Sequence, residues 1–231
     1  MKLYYAPASS YSQRVLIALY EKKVDFTAIE VNLFDPQARE EYMQINHFAK
    51  IPTLMTEKEN VLFEANIIIE YLDQKFQNTS RLIPVDPEQA LEVRMLERTI
   101  DVYINSGREA LFADTQRPVE ERGKKEVIKA KRLLETALAL LDEKLATRTW
   151  LGGEDFTIAD CAAAPTLAYL RMVYNYKHFS NLTNYVRRLE SRPSVAQVFN
   201  LGRDQMTKML SELRNPLQLV PLDELLVTQA N

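Results

Sequence analysis

The chain is poor in several residues on which chemistry often depends: of its 231 residues one is cysteine, Cys161, and two are histidine, His47 and His178. A single thiol excludes an intramolecular disulfide and suits a reducing compartment. The two histidines show none of the spacing of a metal site. No apolar run approaches the ~18 residues that cross a bilayer, and strand-forming residues begin at Leu3, too early for the basic and apolar segments of a secretory signal. Neither sign of charge dominates. The 29 Lys and Arg against 32 Asp and Glu leave −3, with signs interspersed, so no basic stripe offers itself to nucleic acid. These absences predict a cytoplasmic protein with no metal, no membrane and no nucleic acid among its partners.

What is present is a core. Apolar residues make up 46% and charged residues 26% of the chain, enough for one large domain or two small ones. Residues 2–76 mix periods. Leu3–Tyr5 and Thr27–Val31 read as strands, each followed by a helix (Ser12–Lys22 and Pro36–Ile45). Two short strands, Thr53–Thr56 and Val61–Phe63, flank the polar turn Glu57–Asn60, and Ile68, Leu72 and Phe76 then stack on one face of a helix over 65–76. The order βαβαββα predicts a compact α/β unit over residues 1–77. Residues 78–87, with Asn, Thr, Ser, Asp and two Pro, have the chemistry of a linker. Beyond it the periods are helical: Val93, Leu96, Ile100 and Ile104, then Val127, Leu134, Leu138, Leu141 and Leu145. Thr157-x-x-Asp160 signals a helix start close to a capping box, opening a helix over 159–174, and Pro193 starts another. Residues 88–231 are therefore expected to be all-helical, with an irregular tail after Asn215.

Three features carry candidate chemistry. Ser9, Ser10 and Ser12 crowd the N-terminal end of the first helix, where unpaired N–H groups and the helix dipole favour an anion. Lys50-Ile51-Pro52 puts a proline at the mouth of a strand, where X–Pro bonds that are cis tend to occur. Phe63-Glu64-Ala65-Asn66 feeds a strand end into a second helix N-terminus.

These segments together resemble the cytosolic glutathione S-transferases, over about residues 1–213. Ser9-Ser10-Tyr11-Ser12-Gln13-Arg14-Val15-Leu16-Ile17-Ala18-Leu19 is similar to the S-S-C-x-x-R-V-x-I-A-L signature of the zeta class. Ile45-Asn46 through Lys50-Ile51-Pro52-Thr53-Leu54 is similar to that family's N-P-x-G-K-V-P-x-L, and Phe63–Leu72 to its E-S-x-x-I-x-x-Y-L. Phe156–Asp160 adds a fourth match. The resemblance implies a thioredoxin-like domain joined to an all-α domain, homodimerisation, and glutathione as co-substrate. It implies that Ile51 pairs its backbone with the cysteinyl part of glutathione beside Pro52, that Lys50 meets the glycyl carboxylate, and that Glu64 and the N–H of Ala65 hold the γ-glutamyl end. Ser9 or Ser10, with Ser12 behind them, would donate to the sulfur. Tyr11, Tyr103, Arg108 and Tyr169 are implied candidates for the pocket that takes a small electrophile.

Departures from the pattern are specific. Ala65 stands where the family has Ser, Tyr11 where the zeta signature has Cys, and His47-Phe48-Ala49 where it has Pro-x-Gly. The expected activity is a glutathione transferase, with a zeta-like maleylacetoacetate isomerase or a reductive dehalogenase as variants. Tyr11-Ser12, the Phe63–Asp73 stretch and Leu82-Ile83-Pro84-Val85-x-Pro87 also resemble stringent starvation protein A, a relative of the same fold without transferase activity that contacts RNA polymerase.

Overall fold

The computed structural model describes residues 1–227. Strand β1 (Lys2–Tyr5) leads into α1 (Ser10–Lys22), β2 (Thr27–Glu30) into α2 (Pro36–Met43), and β3 (Thr53–Met55) and β4 (Val61–Phe63) into α3 (Ala65–Lys75). The sheet runs β2-β1-β3-β4, with β1 parallel to β2 and the other two pairings antiparallel. Leu3 on β1 and Leu54 on β3 face one another across the central pair and are fully buried against Val15, Ile17 and Ile68 of the helices above.

Helix α1 starts two residues earlier than its apolar period suggests, because Ser9 supplies the cap: its Oγ accepts from the Ser12 N–H at 3.3 Å. At its other end Lys23 adopts the left-handed conformation (φ 52°) and closes the helix. The adjoining Lys22 is buried, and its ammonium donates to Asp73 of α3 at 2.9 Å and to the Ser80 carbonyl. Asp73 also accepts from the Leu82 N–H, so one ion pair fixes the segment that leaves the sheet domain.

The helical part comprises α4 (Pro87–Thr99), α5 (Ser106–Thr115), α6 (Lys125–Leu145), α7 (Ile158–Leu170), α8 (Ser180–Ser191), α9 (Pro193–Ser211) and α10 (Leu222–Val227). Every residue of α7 is buried, which is why its sequence is apolar on all sides and tolerates Pro165 inside. Its start is a capping box. Asp160 accepts from the Thr157 N–H (2.7 Å) and hydroxyl, and also from the Leu151 N–H and the Tyr185 hydroxyl (2.6 Å). The helix ends at Leu170 rather than Tyr174.

Two expectations are corrected here. The helix carrying Val93 to Ile104 is not regular throughout: Ile100–Asn105 is a π-helical segment between α4 and α5. The tail after Asn215 is irregular only as far as Pro221, where the expected irregularity gives way to α10. Asn215 exchanges hydrogen bonds with Gln116 (3.0 and 2.9 Å), Arg171 Nε donates to the Val220 carbonyl at 2.7 Å, and the buried Leu222 opens α10. Gln116, just past α5, and Arg171, just past α7, hold this irregular stretch against the helices. Residues 228–231 lie outside the described residues. No helix among the described residues is long and apolar enough to cross a membrane.

The two parts meet along α1, α7 and α9. Gly202 of α9 lies so close to the Pro7 carbonyl that any side chain there would collide with it. Arg192 forms a bidentate pair with Glu21 of α1 at 2.6 and 2.7 Å, and Ser194 donates to the same carboxylate.

Candidate active site

Three pieces of backbone converge on one edge of the sheet domain. The loop before α1 is held by its own serines and by α9. The Ala6 N–H donates to Ser12 Oγ at 3.3 Å, and the Ala8 N–H to Gln205 Oε1 at 2.9 Å. The second piece is the turn before β3. The Lys50 carbonyl accepts from the Tyr42 hydroxyl (2.8 Å) and from Asn46 Nδ2 (2.9 Å), and both groups also bond the Thr53 hydroxyl. With that carbonyl turned inward, the Lys50 side chain and Ile51 remain on the surface of a groove, and the Ile51–Pro52 peptide is cis. The third piece is the start of α3. Glu64 has φ 68°, a left-handed conformation that non-glycine residues adopt at a cost, and it gives α3 no side-chain cap. The first N–H groups of α3 are thus left for an anion.

The groove between the second and third pieces encloses about 230 Å³. Lys50, Ile51, Pro52, Glu64 and Ala65 line one side. Tyr11 of α1 lines it from the same domain and Glu109 of α5 from across the domain boundary, and Phe48 and Phe63 stand at its rim, packed edge to face at 5.6 Å. Next to it lies a cavity of about 190 Å³ beside Ala8 and Ser10, walled by Arg108, Tyr169 and the methionines 172, 206 and 209. Ser9 and Ile51 share a third hollow, of about 180 Å³, with the 31–34 segment.

The site residues read from the sequence thus separate. Lys50, Ile51, Pro52, Glu64, Ala65 and Tyr11 come together in the groove, and Ser10, Arg108 and Tyr169 in the adjoining cavity. Ser9 sits at the cap facing Ile51. Ser12 does not join them: its hydroxyl is fully buried and accepts from Ala6, so it is a structural brace. Tyr103 is 43% exposed and lines neither the groove nor the cavity.

Tyr11 reaches the groove, but its hydroxyl is already committed. It donates to Asp101 Oδ1 at 2.8 Å and accepts from Asn105 Nδ2 at 3.0 Å, while the Arg14 guanidinium lies 4.4 Å over its ring. Burial, and then the bond to Asp101, push its phenol well above the ordinary range. Burial pushes Tyr169 up to about 12, so its hydroxyl stays protonated while it accepts from Gln13 Nε2 at 2.7 Å. Arg108 is largely buried in the cavity wall and donates through Nε and Nη2 to Asn105 Oδ1.

Sequence reasoning missed Asp101, Asn105 and Glu109. Their clustering depends on the π-helical segment, which rotates Asp101 and Asn105 toward α1 and leaves no mark in the apolar period. Phe48 and Phe63 were signalled only by their place beside the two motifs. Among the described residues no group of three or more His, Cys, Asp or Glu is placed to hold a metal.

Family models place this geometry. The glutathione S-transferase N-terminal domain matches residues 3–80 and the glutathione S-transferase C-terminal domain residues 99–193. The chain belongs to the glutathione S-transferase superfamily. A stringent starvation protein A homolog of Coxiella burnetii is 33% identical over 167 residues, covering 72% of this chain and 74% of the relative. Glutathione S-transferase F6 of Arabidopsis thaliana is 26% identical over 205 residues, covering 86% and 98%. Among solved structures, a glutathione S-transferase from Methylobacillus flagellatus with glutathione bound has a TM-score of 0.76 at 27% identity, covering 85% of this chain and 98% of its own. The superfamily fold, a four-stranded mixed sheet with its helices followed by an all-helical domain, is the one expected from the sequence.

Proposed function

We propose that the protein is a glutathione-dependent transferase that ionises the bound thiol and directs it at a small, largely apolar electrophile. The observation that carries this reading is the groove itself: an uncapped helix N-terminus at one end, Lys50 at the other, and the half-buried Ile51 lining it beside Pro52. An extended γ-glutamyl tripeptide matches that order. Glu64 would meet its ammonium, the N–H groups of Ala65 and Asn66 its γ-glutamyl carboxylate, Ile51 its cysteinyl backbone, and Lys50 its glycyl carboxylate. Ala65 offers no hydroxyl to the γ-glutamyl carboxylate, a loss of about 1 kcal/mol of binding.

The thiol then falls at the start of α1. Ser9 is the proposed donor, because its Oγ already accepts from the Ser12 N–H and its own hydrogen is free for the sulfur. Lowering a thiol from ~8.5 by about 2 units requires roughly 2.7 kcal/mol. A helix N-terminus contributes ~0.3–1 kcal/mol and one hydrogen bond to a charged acceptor ~1.5–3 kcal/mol, so the two together suffice. The electrophile would occupy the cavity of Ser10, Arg108 and Tyr169, where a guanidinium and a protonated phenol stand ready to stabilise negative charge on the acceptor.

A second reading is favoured by the 33% identity to the Coxiella burnetii protein and by Glu109, a second carboxylate in the groove. On that reading the protein is a regulatory module of the stringent starvation protein A kind that binds RNA polymerase and has lost the thiol chemistry. Calorimetric titration with glutathione, followed by conjugation assays on an aryl halide and an isomerase substrate, separates the two. Saturable binding with turnover supports the transferase. No heat at millimolar glutathione sinks it in favour of the regulatory module.

A further inference from the structure

The even balance of charge along the whole chain hides a local excess at the start of α6. Residues 119–133 carry six cations against three acids, in a chain whose net charge is −3. The buried side chains of α6 follow one stripe, from Val127 through Leu134, Leu138 and Leu141 to Leu145. On the opposite side, the first two turns present Lys125, Ile128, Lys129, Arg132 and Leu133. These are the i, i+3, i+4, i+7 and i+8 positions of one helix face, and all five are exposed. No acid stands on that face. Glu126 falls at its margin, and Glu120 and Glu121 precede the helix in the short 3-10 turn Val119–Glu121.

The cations here lack partners of opposite charge. Arg122 donates to the backbone carbonyls of Arg117 and Thr115, and neither it nor Lys124, Lys125, Lys129 or Arg132 meets a carboxylate among the described residues. Lys131, on the flank, reaches Glu135 only at 4.0 Å. Apolar side chains stand in the same stretch: Val119 is 76%, Ile128 50% and Leu133 43% exposed. Such a surface suits a layer that is anionic at its face and apolar just beneath. Nucleic acid supplies the charge but leaves the apolar side chains in water. A peptide's apolar side chains need a recess, and the groove and the cavities beside it are lined by other residues. A lipid surface meets both demands, because its headgroups take the cations and its interfacial layer takes side chains that protrude. Contact of this kind needs no membrane-spanning helix.

We propose that the start of α6 is a docking face for an anionic lipid surface, on which the protein sits peripherally. Lys124, Lys125, Lys129 and Arg132 would meet the headgroup phosphates, and Ile128 and Leu133 would enter the interfacial layer between them. None of these residues lines the groove or the cavity beside Ser10, so the inference stands independently of glutathione binding.

Co-sedimentation of the full chain with lipid vesicles tests it. Binding is expected to vesicles of phosphatidylcholine mixed with phosphatidylglycerol, not to phosphatidylcholine alone, and is expected to weaken as salt is raised. The triple variant Lys125→Gln/Lys129→Gln/Arg132→Gln is expected to bind about a hundredfold more weakly, each cation at an anionic surface being worth about fivefold. Ile128→Ser keeps every charge and is expected to weaken binding about fivefold. Equal binding to neutral vesicles, an affinity unchanged in the triple variant or in Ile128→Ser, or no binding to either vesicle would each overturn the proposal. Capture of the same face by duplex DNA or by polyglutamate, with none by vesicles, would assign it to nucleic acid or to an acidic protein instead. The altered side chains are all exposed, and a denaturation midpoint matching the parent's establishes that each variant is folded.

Discussion

Asp160 and Ser12 show how hydroxyls and carboxylates in sequence motifs divide between structure and chemistry. Asp160 is wholly buried and accepts four hydrogen bonds, from Leu151, Thr157 (twice) and Tyr185. Replacing it with Ala strands those donors in a dry core, and Asp160→Ala is expected to cost at least about 3 kcal/mol in chemical denaturation. Ala49 provides the opposite case. It holds φ 48° in the turn that presents Lys50, a conformation that costs an L-residue roughly 1 kcal/mol and glycine almost nothing. Ala49→Gly is expected to raise unfolding stability by about 0.5–1 kcal/mol, and an unchanged or lowered denaturation midpoint would contradict that. Ser9 and Ser12 lie three residues apart at one helix start and each hydroxyl accepts from a backbone N–H, yet Ser12 is fully buried while Ser9 lines a hollow beside Ile51. That distinction was not legible in the sequence, since it depends on the Ala6 N–H folding back onto Ser12.

Elements were legible where a local rule decided them. Apolar periods located every strand and most helices, and Thr157-x-x-Asp160 marked the start of α7 because a capping box is closed by residues three apart. The Lys50–Pro52 and Glu64–Ala65 halves of the groove were legible for the same reason: each is a short motif. What joined them to Glu109, Asp101 and Asn105 was not, because a π-helical segment adds one residue to a turn and changes which side chains face α1. This segment defines a separable prediction. Tyr11 is tied to it by two hydrogen bonds and sits above the ordinary phenol range, so it serves as a brace between α1 and the π-helical segment. Tyr11→Phe is expected to cost about 1 kcal/mol of stability while leaving the titration of the bound thiol unchanged. A shift in that titration would make Tyr11 the activating hydroxyl instead of Ser9.

At the scale of the molecule, polar contacts join the sheet domain to the helical domain alongside the shared apolar core. Burial works against ionisation of Glu21, but the hydrogen bonds from Arg192 and Ser194 outweigh it and hold its carboxyl below the ordinary value of 4.5. A group lowered in the folded state stabilises fully above its unfolded value and loses that contribution as the pH falls through the lowered one. Thermal stability is therefore expected to drop below about pH 4.5, and Glu21→Gln should flatten that part of the profile. A profile identical to the parent's would show that the contact adds nothing. The exposed apolar residues Leu91, Met95, Val102 and Phe48 are candidates for the dimer surface that the resemblance implies. Phe48 lies at the rim of the groove, so association there would also shelter the glutathione end.

On the proposed function, this groove delivers a thiol to the start of α1, where the helix N-terminus and the Ser9 hydroxyl ionise it. Ultraviolet titration of the thiolate in the glutathione complex measures that directly. The expected midpoint lies about 2 units below that of the free thiol, with a return of at least about 1 unit toward it in Ser9→Ala. A bound thiol that titrates as free glutathione does, or a Ser9→Ala complex with an unchanged midpoint, would contradict it.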